Sequence, residues 1–118
     1  MIRVKILILS VLLIIGVPAI AFAHAHLVSS SPAVGATASA PTNLEMTFSE
    51  GIELGLSKFE LTGPTGLVGG VSVAFGGDNK TVQLHLSAPL PAGSYTIRWH
   101  VVSVDTHRTE GTFSFSVK

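Results

Sequence analysis

The chain of 118 residues contains no cysteine. That single absence excludes disulfide scaffolds, CxxC redox centres, thiolate zinc sites and cysteine nucleophiles. Charge is scarce as well: 12% of the residues are Asp, Glu, Lys or Arg, and 7 basic residues balance 7 acidic ones. Without a basic excess no face can neutralise phosphates, so no nucleic-acid partner is expected. A chain this short supports one domain with one modest core, which argues against a two-domain enzyme. No internal repeat, low-complexity tract or domain boundary is visible.

What is present is unevenly distributed. The mean hydropathy of +0.56 comes mostly from the first two dozen residues. Arg3 and Lys5 form a short basic start, Ile6 to Ala21 is almost wholly apolar, and Ala21-Phe22-Ala23 gives the small-x-small pattern of a signal-peptidase site. Residues 1–23 therefore read as a cleaved signal peptide and 24–118 as the mature domain. The competing reading is an uncleaved membrane anchor, since the apolar run reaches the lower limit of roughly 17 residues for a span. Pro18 just before the small-residue site and the lack of basic residues after it favour cleavage. Export removes two of the basic residues and leaves a small, slightly acidic domain outside the cytosol, touching membrane only through its leader. Without disulfides, that domain relies on its hydrophobic core alone.

The mature chain reads as β throughout. Short alternating or β-branched runs are separated by Gly, Pro, Asn and Ser, the pattern of a sandwich or barrel. Strands are expected at Ala25–Ser30, Asn43–Ser49, Ser57–Thr62, Val71–Phe75, Thr81–Ser87, Gly93–Val104 and Gly111–Val117. Leu44, Met46 and Phe48 alternate with polar neighbours, as do Val82, Leu84 and Leu86. Tyr95, Ile97, Trp99 and Val101 form the longest stripe, and Phe113, Phe115 and Val117 complete the expected core. Seven strands in this length predict an all-β, immunoglobulin-like or cupredoxin-like Greek-key sandwich.

Cleavage after Ala23 gives His24 a special chemistry. A first-position histidine offers its free α-amine and imidazole Nδ1, which together close a six-membered chelate on a metal ion. An α-amine ordinarily titrates at about pH 8, so it yields its proton to a metal at modest cost near neutrality. Nitrogen-rich, roughly square-planar sites favour Cu(II). A second feature is Asp105-Thr106-His107, just past the longest strand. Residues two apart on an extended chain point to the same side, so both could reach one ion. An isolated Asp-x-His is weak support, because Asp in loops mostly caps turns.

The mature start, His24-Ala25-His26-Leu27-Val28-Ser29-Ser30-Ser31-Pro32-Ala33, resembles the opening of CopC-type periplasmic copper-binding domains. So does Leu44-Glu45-Met46-Thr47-Phe48-Ser49-Glu50. The end of the chain carries the strongest likeness, in Leu90-Pro91-Ala92-Gly93-Ser94-Tyr95-Thr96-Ile97-Arg98-Trp99, Val102-Ser103-Val104-Asp105-Thr106-His107 and Gly111-Thr112-Phe113-Ser114-Phe115. The landmarks fall in order over the whole mature chain. The resemblance implies a periplasmic β-sandwich binding one Cu(II) per chain through the amine and imidazole of His24, with Asp105 and His107. It also implies a role as copper carrier or buffer in homeostasis and resistance, with a separate CopD-type inner-membrane protein as partner. Some relatives hold Cu(I) on loop methionines. This chain departs there, because Met46 is its only methionine after the leader and lies at a core position; no Cu(I) site is expected.

Each sharp reading has a plainer competitor. His26 in third position could join the amine and two backbone amides in a different Cu(II) chelate, at the cost of backbone donors needed for strand pairing. Its simpler role is to stand beside the ligands or in solvent. His100 follows Trp99 on the opposite face and is a candidate neighbour of the site, whereas His85 reads as a surface residue. Arg108 and Glu110 flank the Asp-x-His loop, and Glu50 and Glu53 read as a solvated turn. Two other functions remain: an oxidative copper enzyme built on the amine-plus-imidazole pair, and a metal-free structural sandwich. Ligation by Asp105 would fill the position an oxygen-activating site needs open, so no enzyme activity is expected.

Overall fold

The computed structural model describes residues 24–118, so the leader and its cleavage site lie outside the described residues. Nine strands follow in order: β1 (Leu27–Ser31), β2 (Thr37–Ala38), β3 (Asn43–Phe48), β4 (Lys58–Gly63), β5 (Gly66–Leu67), β6 (Val71–Phe75), β7 (Thr81–Leu86), β8 (Gly93–Val102) and β9 (Arg108–Val117). One short 3-10 turn, Leu54–Leu56, precedes β4. Among the described residues no helix is long and apolar enough to cross a membrane.

The strands form two sheets, ordered β1-β3-β7-β6 and β2-β9-β8-β4-β5. All pairings are antiparallel except the short parallel contact of β2 with β9. The sandwich expected from alternation is therefore present, with all seven expected strands in place. The two extra strands hold two residues each, too few to show any period. β1 starts at Leu27 rather than Ala25 and β8 stops at Val102 rather than Val104.

The largest shift is in β9, which begins at Arg108 and not at Gly111. Gly111 resembles a turn residue, yet it lies in the strand opposite Trp99. A Cβ there would run into the Trp99 indole, so the ring occupies the space that any side chain would need. The glycine is a packing requirement of the strand.

The inner faces carry the expected stripes. Met46, Val82, Leu84 and Ile97 are wholly buried, and Phe48 meets Trp99 edge to face with ring centres 5.2 Å apart. Tyr95 stacks on Phe115 while its hydroxyl donates to the Pro91 carbonyl at 2.7 Å. Leu86 is only partly buried, because β7 ends there at the rim. On the outer face, His85 pairs with Asn43 across β3 and β7, far along the strands from the β1 start.

The β6–β7 turn supports the pole where the β8–β9 loop lies. Asp78 accepts from the backbone N–H groups of Lys80 (2.9 Å) and Thr81 (2.7 Å). The Asn79 carbonyl then accepts from Ile52 N–H at 2.8 Å, and the Gly51 carbonyl accepts from Val104 N–H at 2.9 Å. A bridge pairs Ile52 with Ser103. A Cβ on Gly51 would crowd the Asn79 and Val104 side chains, so glycine lets this relay close without displacing them.

The two backbone bonds hold the Asp78 carboxyl below its ordinary value of 3.8. A depressed folded-state pKa adds stability above the unfolded value, and that stability is lost as pH falls through the folded one. Asp78→Asn, which mimics the protonated side chain, should melt below the wild type at pH 7 and converge with it as pH drops below about 4. A difference in melting temperature that stays constant or widens in acid would contradict this role.

Candidate metal centre

The β8–β9 connection is a loop, as expected, but a tight turn rather than the extended chain on which the alternation argument relied. Ser103 N–H donates to the His107 carbonyl at 2.9 Å, and Thr106 N–H donates to the Ser103 carbonyl at 2.8 Å. Closing so short a loop places Thr106 at φ +72°. The left-handed region costs an L residue about 1–2 kcal/mol, and a β-branched one is rare there. Asp105 and His107 do come to one side, but the bend at Thr106 brings them there rather than strand alternation. The Asp105 carboxylate lies 3.2 Å from His107 Nδ1.

Ser103 organises this turn from beneath. It is fully buried, and its hydroxyl donates to the other Asp105 oxygen while lying 3.3 Å from the His107 carbonyl. The Ser103 hydrogen bond, helped by His107, holds the Asp105 carboxyl below the ordinary carboxylate range. Sequence reasoning missed Ser103. Its one visible signal is a hydroxyl inside Val101-Val102-Ser103-Val104, where an apolar residue would be the default.

His24 arrives at the same place from the other sheet. Its ring meets His107 edge-on, with centres 4.7 Å apart and planes at 87°. Ala25 beside it is buried to 1% exposure, and the Ala25 carbonyl accepts from Thr109 Oγ1 at 2.7 Å. His26 N–H donates to Ser49 Oγ at 3.0 Å and Ser49 N–H returns a bond to the His26 carbonyl at 2.9 Å. A cavity of about 480 Å³ opens here, lined by His24, Ala25, His26, Trp99, Thr109 and Glu110. Thr109 and Ser49 left no signal in the sequence, since hydroxyl residues are common in strands of any sandwich.

The remaining candidates are distributed around this pole. The exposed His26 side chain faces the cavity rim. His100 points to the outer face of the five-stranded sheet, where its Nδ1 lies 3.0 Å from Glu110. It lines a neighbouring hollow of about 380 Å³ with Leu56 and Arg108. Met46 is wholly buried in the core.

Among the described residues no three His, Asp or Glu side chains are already gathered around a metal position. The distances nevertheless suit a shared ion. Donors about 2.0–2.1 Å from a metal and at right angles to one another lie about 2.9 Å apart. The Asp105–His107 contact at 3.2 Å is close to that. Two imidazoles on adjacent corners of one ion have ring centres about 4.5 Å apart by the same geometry, near the observed His24–His107 spacing.

Comparison with known proteins gives one consistent result. The family model for the CopC domain matches residues 27–118. Protein YobA of Escherichia coli K12 is 41% identical over 102 residues, covering 82% of this chain and 81% of its own length. Copper resistance protein C of Pseudomonas syringae pv. tomato is 39% identical over 109 residues, covering 86% of each. The crystal structure of PcoC, described as a methionine-rich copper resistance protein from Escherichia coli, superposes with a TM-score of 0.75 at 36% identity. That match covers 81% of this chain and 100% of PcoC. Copper transport protein CutJ of Bacillus subtilis is 31% identical over 113 residues, which take in 93% of this chain and only 21% of CutJ.

The Ser103 contact can be checked directly. Ser103→Ala removes the main hydrogen bond favouring the charged Asp105, so its pKa should rise toward the ordinary Asp value. Carbon-detected NMR titration of the Asp105 carboxyl measures this. An unmoved titration would show that Ser103 does not hold the carboxylate.

Proposed function

This chain belongs to the CopC family of copper resistance proteins, and on that basis we propose that it carries one cupric ion outside the cytoplasm. Copper is its cargo, taken up by the processed form whose first residue is His24. The observation that carries the proposal is the meeting of His24 with the Asp-x-His turn, at 4.7 Å between rings and with Asp105 already on His107. The ligands are the His24 amine and imidazole, Asp105 and His107. Four such donors suit the tetragonal preference of Cu(II).

The donor set also argues for one oxidation state. PcoC is described as methionine-rich, whereas this chain has two methionines, and the one in the described domain is sealed in the core. Soft thioether ligation of Cu(I) has no accessible donor among the described residues. The competing chelate through the amides of Ala25 and His26 would require the His26 nitrogen to leave Ser49 Oγ. That would open the start of β1, so the side-chain site is favoured.

Carriage rather than catalysis fits the same geometry. Asp105 occupies a corner that oxygen activation would need free, and the relatives are copper resistance and transport proteins. The leader sequence supports work in the periplasm or an equivalent extracytoplasmic space. A separate CopD-type membrane protein is the natural recipient. The match of this whole domain to one fifth of CutJ supports such a pairing, since there the domain is part of a copper transport protein. Proton release accompanies binding, so affinity falls as pH drops through the titration of the amine and imidazoles.

Trp99, the single tryptophan, lines the cavity beside His24 and reports cupric binding by quenching. Its fluorescence should fall to a plateau at one equivalent of Cu(II). His107→Ala should weaken binding by more than about 100-fold, beyond what loss of an outer-shell contact does, and His85→Ala should leave it unchanged. Equal affinities of the wild type and His107→Ala would reject this site. So would reductant-driven oxygen consumption by the copper-loaded protein well above that of free copper.

A further inference from the structure

The two halves of the proposed site belong to different sheets. His24 precedes β1, an edge strand of the four-stranded sheet, while Asp105 and His107 precede β9 in the five-stranded sheet. Sheets packed face to face are joined mainly by side-chain contacts, which tolerate small relative slides. A metal site needs tighter control, about half an ångström in donor position. Something must therefore fix the start of β1 against β9.

Thr109 is placed to do this. It stands two residues after His107, within β9, and its hydroxyl donates to the Ala25 carbonyl at 2.7 Å. That carbonyl lies one residue beyond His24. The hydrogen bond thus ties the peptide next to one ligand residue to the strand that starts beside the other. The contacts between His26 and Ser49 behave differently, because they extend the β1–β3 pairing within a single sheet. They hold the chain lengthwise but do not couple the sheets.

We propose that Thr109 is a positioning residue of the cupric site, its hydroxyl setting where the His24 amine and imidazole stand relative to Asp105 and His107. The inference rests on the site proposed above. A terminus is ordinarily mobile, and a ligand on a mobile terminus pays an ordering cost when it binds. Anchoring the Ala25 peptide beforehand removes part of that cost. The gain appears mostly as slower release of the ion, since a pre-placed donor has less freedom to swing away.

The test compares Thr109→Val and Thr109→Ser in the exported, processed protein. Valine keeps the shape and suits a strand, and serine keeps the hydroxyl. Three quantities are read: Cu(II) affinity by chelator competition, the rate of copper loss to excess chelator, and the EPR spectrum of the bound ion. Thr109→Val should bind about tenfold more weakly, release copper correspondingly faster and show altered EPR parameters. Thr109→Ser should restore all three.

A lower melting temperature for Thr109→Val with wild-type affinity, release rate and spectrum would overturn the proposal, leaving only a structural contact. Equal weakening in both variants would also overturn it, because the hydroxyl would not be the agent. His107→Ala in the same series separates the two levels of argument. If it binds copper as tightly as the wild type, the site itself is wrong. If it is weakened while Thr109→Val is not, the Thr109 role alone fails.

Discussion

An α-amine can act as a metal donor only at a chain end, and chain ends are the parts of a domain that fray. The cupric site proposed for this sandwich has to meet that constraint. Ala25 is sealed into the core with 1% exposure, so the chain is fixed one residue after His24. The Ala25 carbonyl is bound to β9 and the His26 main chain to the end of β3. Only His24 projects from this anchorage, and it projects toward His107. A small buried methyl at position 25 thus supports the proposed site as directly as its candidate donors do.

The opposing half is held just as closely, by strain set against hydrogen bonds. The left-handed Thr106 costs about 1–2 kcal/mol, and each backbone bond in the turn returns about 0.5–1.5 kcal/mol. The support continues away from the site through Ser103, the Ile52 bridge, Gly51 and Asn79 to the Asp78 turn. Apart from the Asp78 carboxylate at the far end, each link is a main-chain bond or a buried hydroxyl, so little can shift independently. The aromatic contact of Phe48 on Trp99 closes the core beneath, joining the two sheets near the same pole.

Much of this architecture is legible in the chain because strand periodicity is physical. Leu44, Met46 and Phe48, or Tyr95, Ile97 and Trp99, can bury one face only by alternating. β2 and β5 escape because two residues show no period, and the early start of β9 escapes because Gly111 serves Trp99 rather than a turn. At the candidate site, His24 stands out by following a small-x-small sequence, and Asp105 and His107 by their Asp-x-His spacing. Ser103 shows only as a lone hydroxyl within an apolar run, and Thr109 does not stand out at all, since one threonine among many carries no mark of what its hydroxyl will meet. The pairing of His100 with Glu110 on the outer face is a register property, invisible until β8 and β9 are aligned.

The proposed copper chelate depends on the amine of His24. Its most direct test is the Cu(II) affinity of the processed protein measured beside a form with one additional residue before His24. That addition turns the amine into an amide and leaves every side chain in place. Affinity should fall by several orders of magnitude, because the chelate loses its second nitrogen. Equal affinities would contradict it, and would leave His24 as an ordinary histidine at the edge of a copper-family fold.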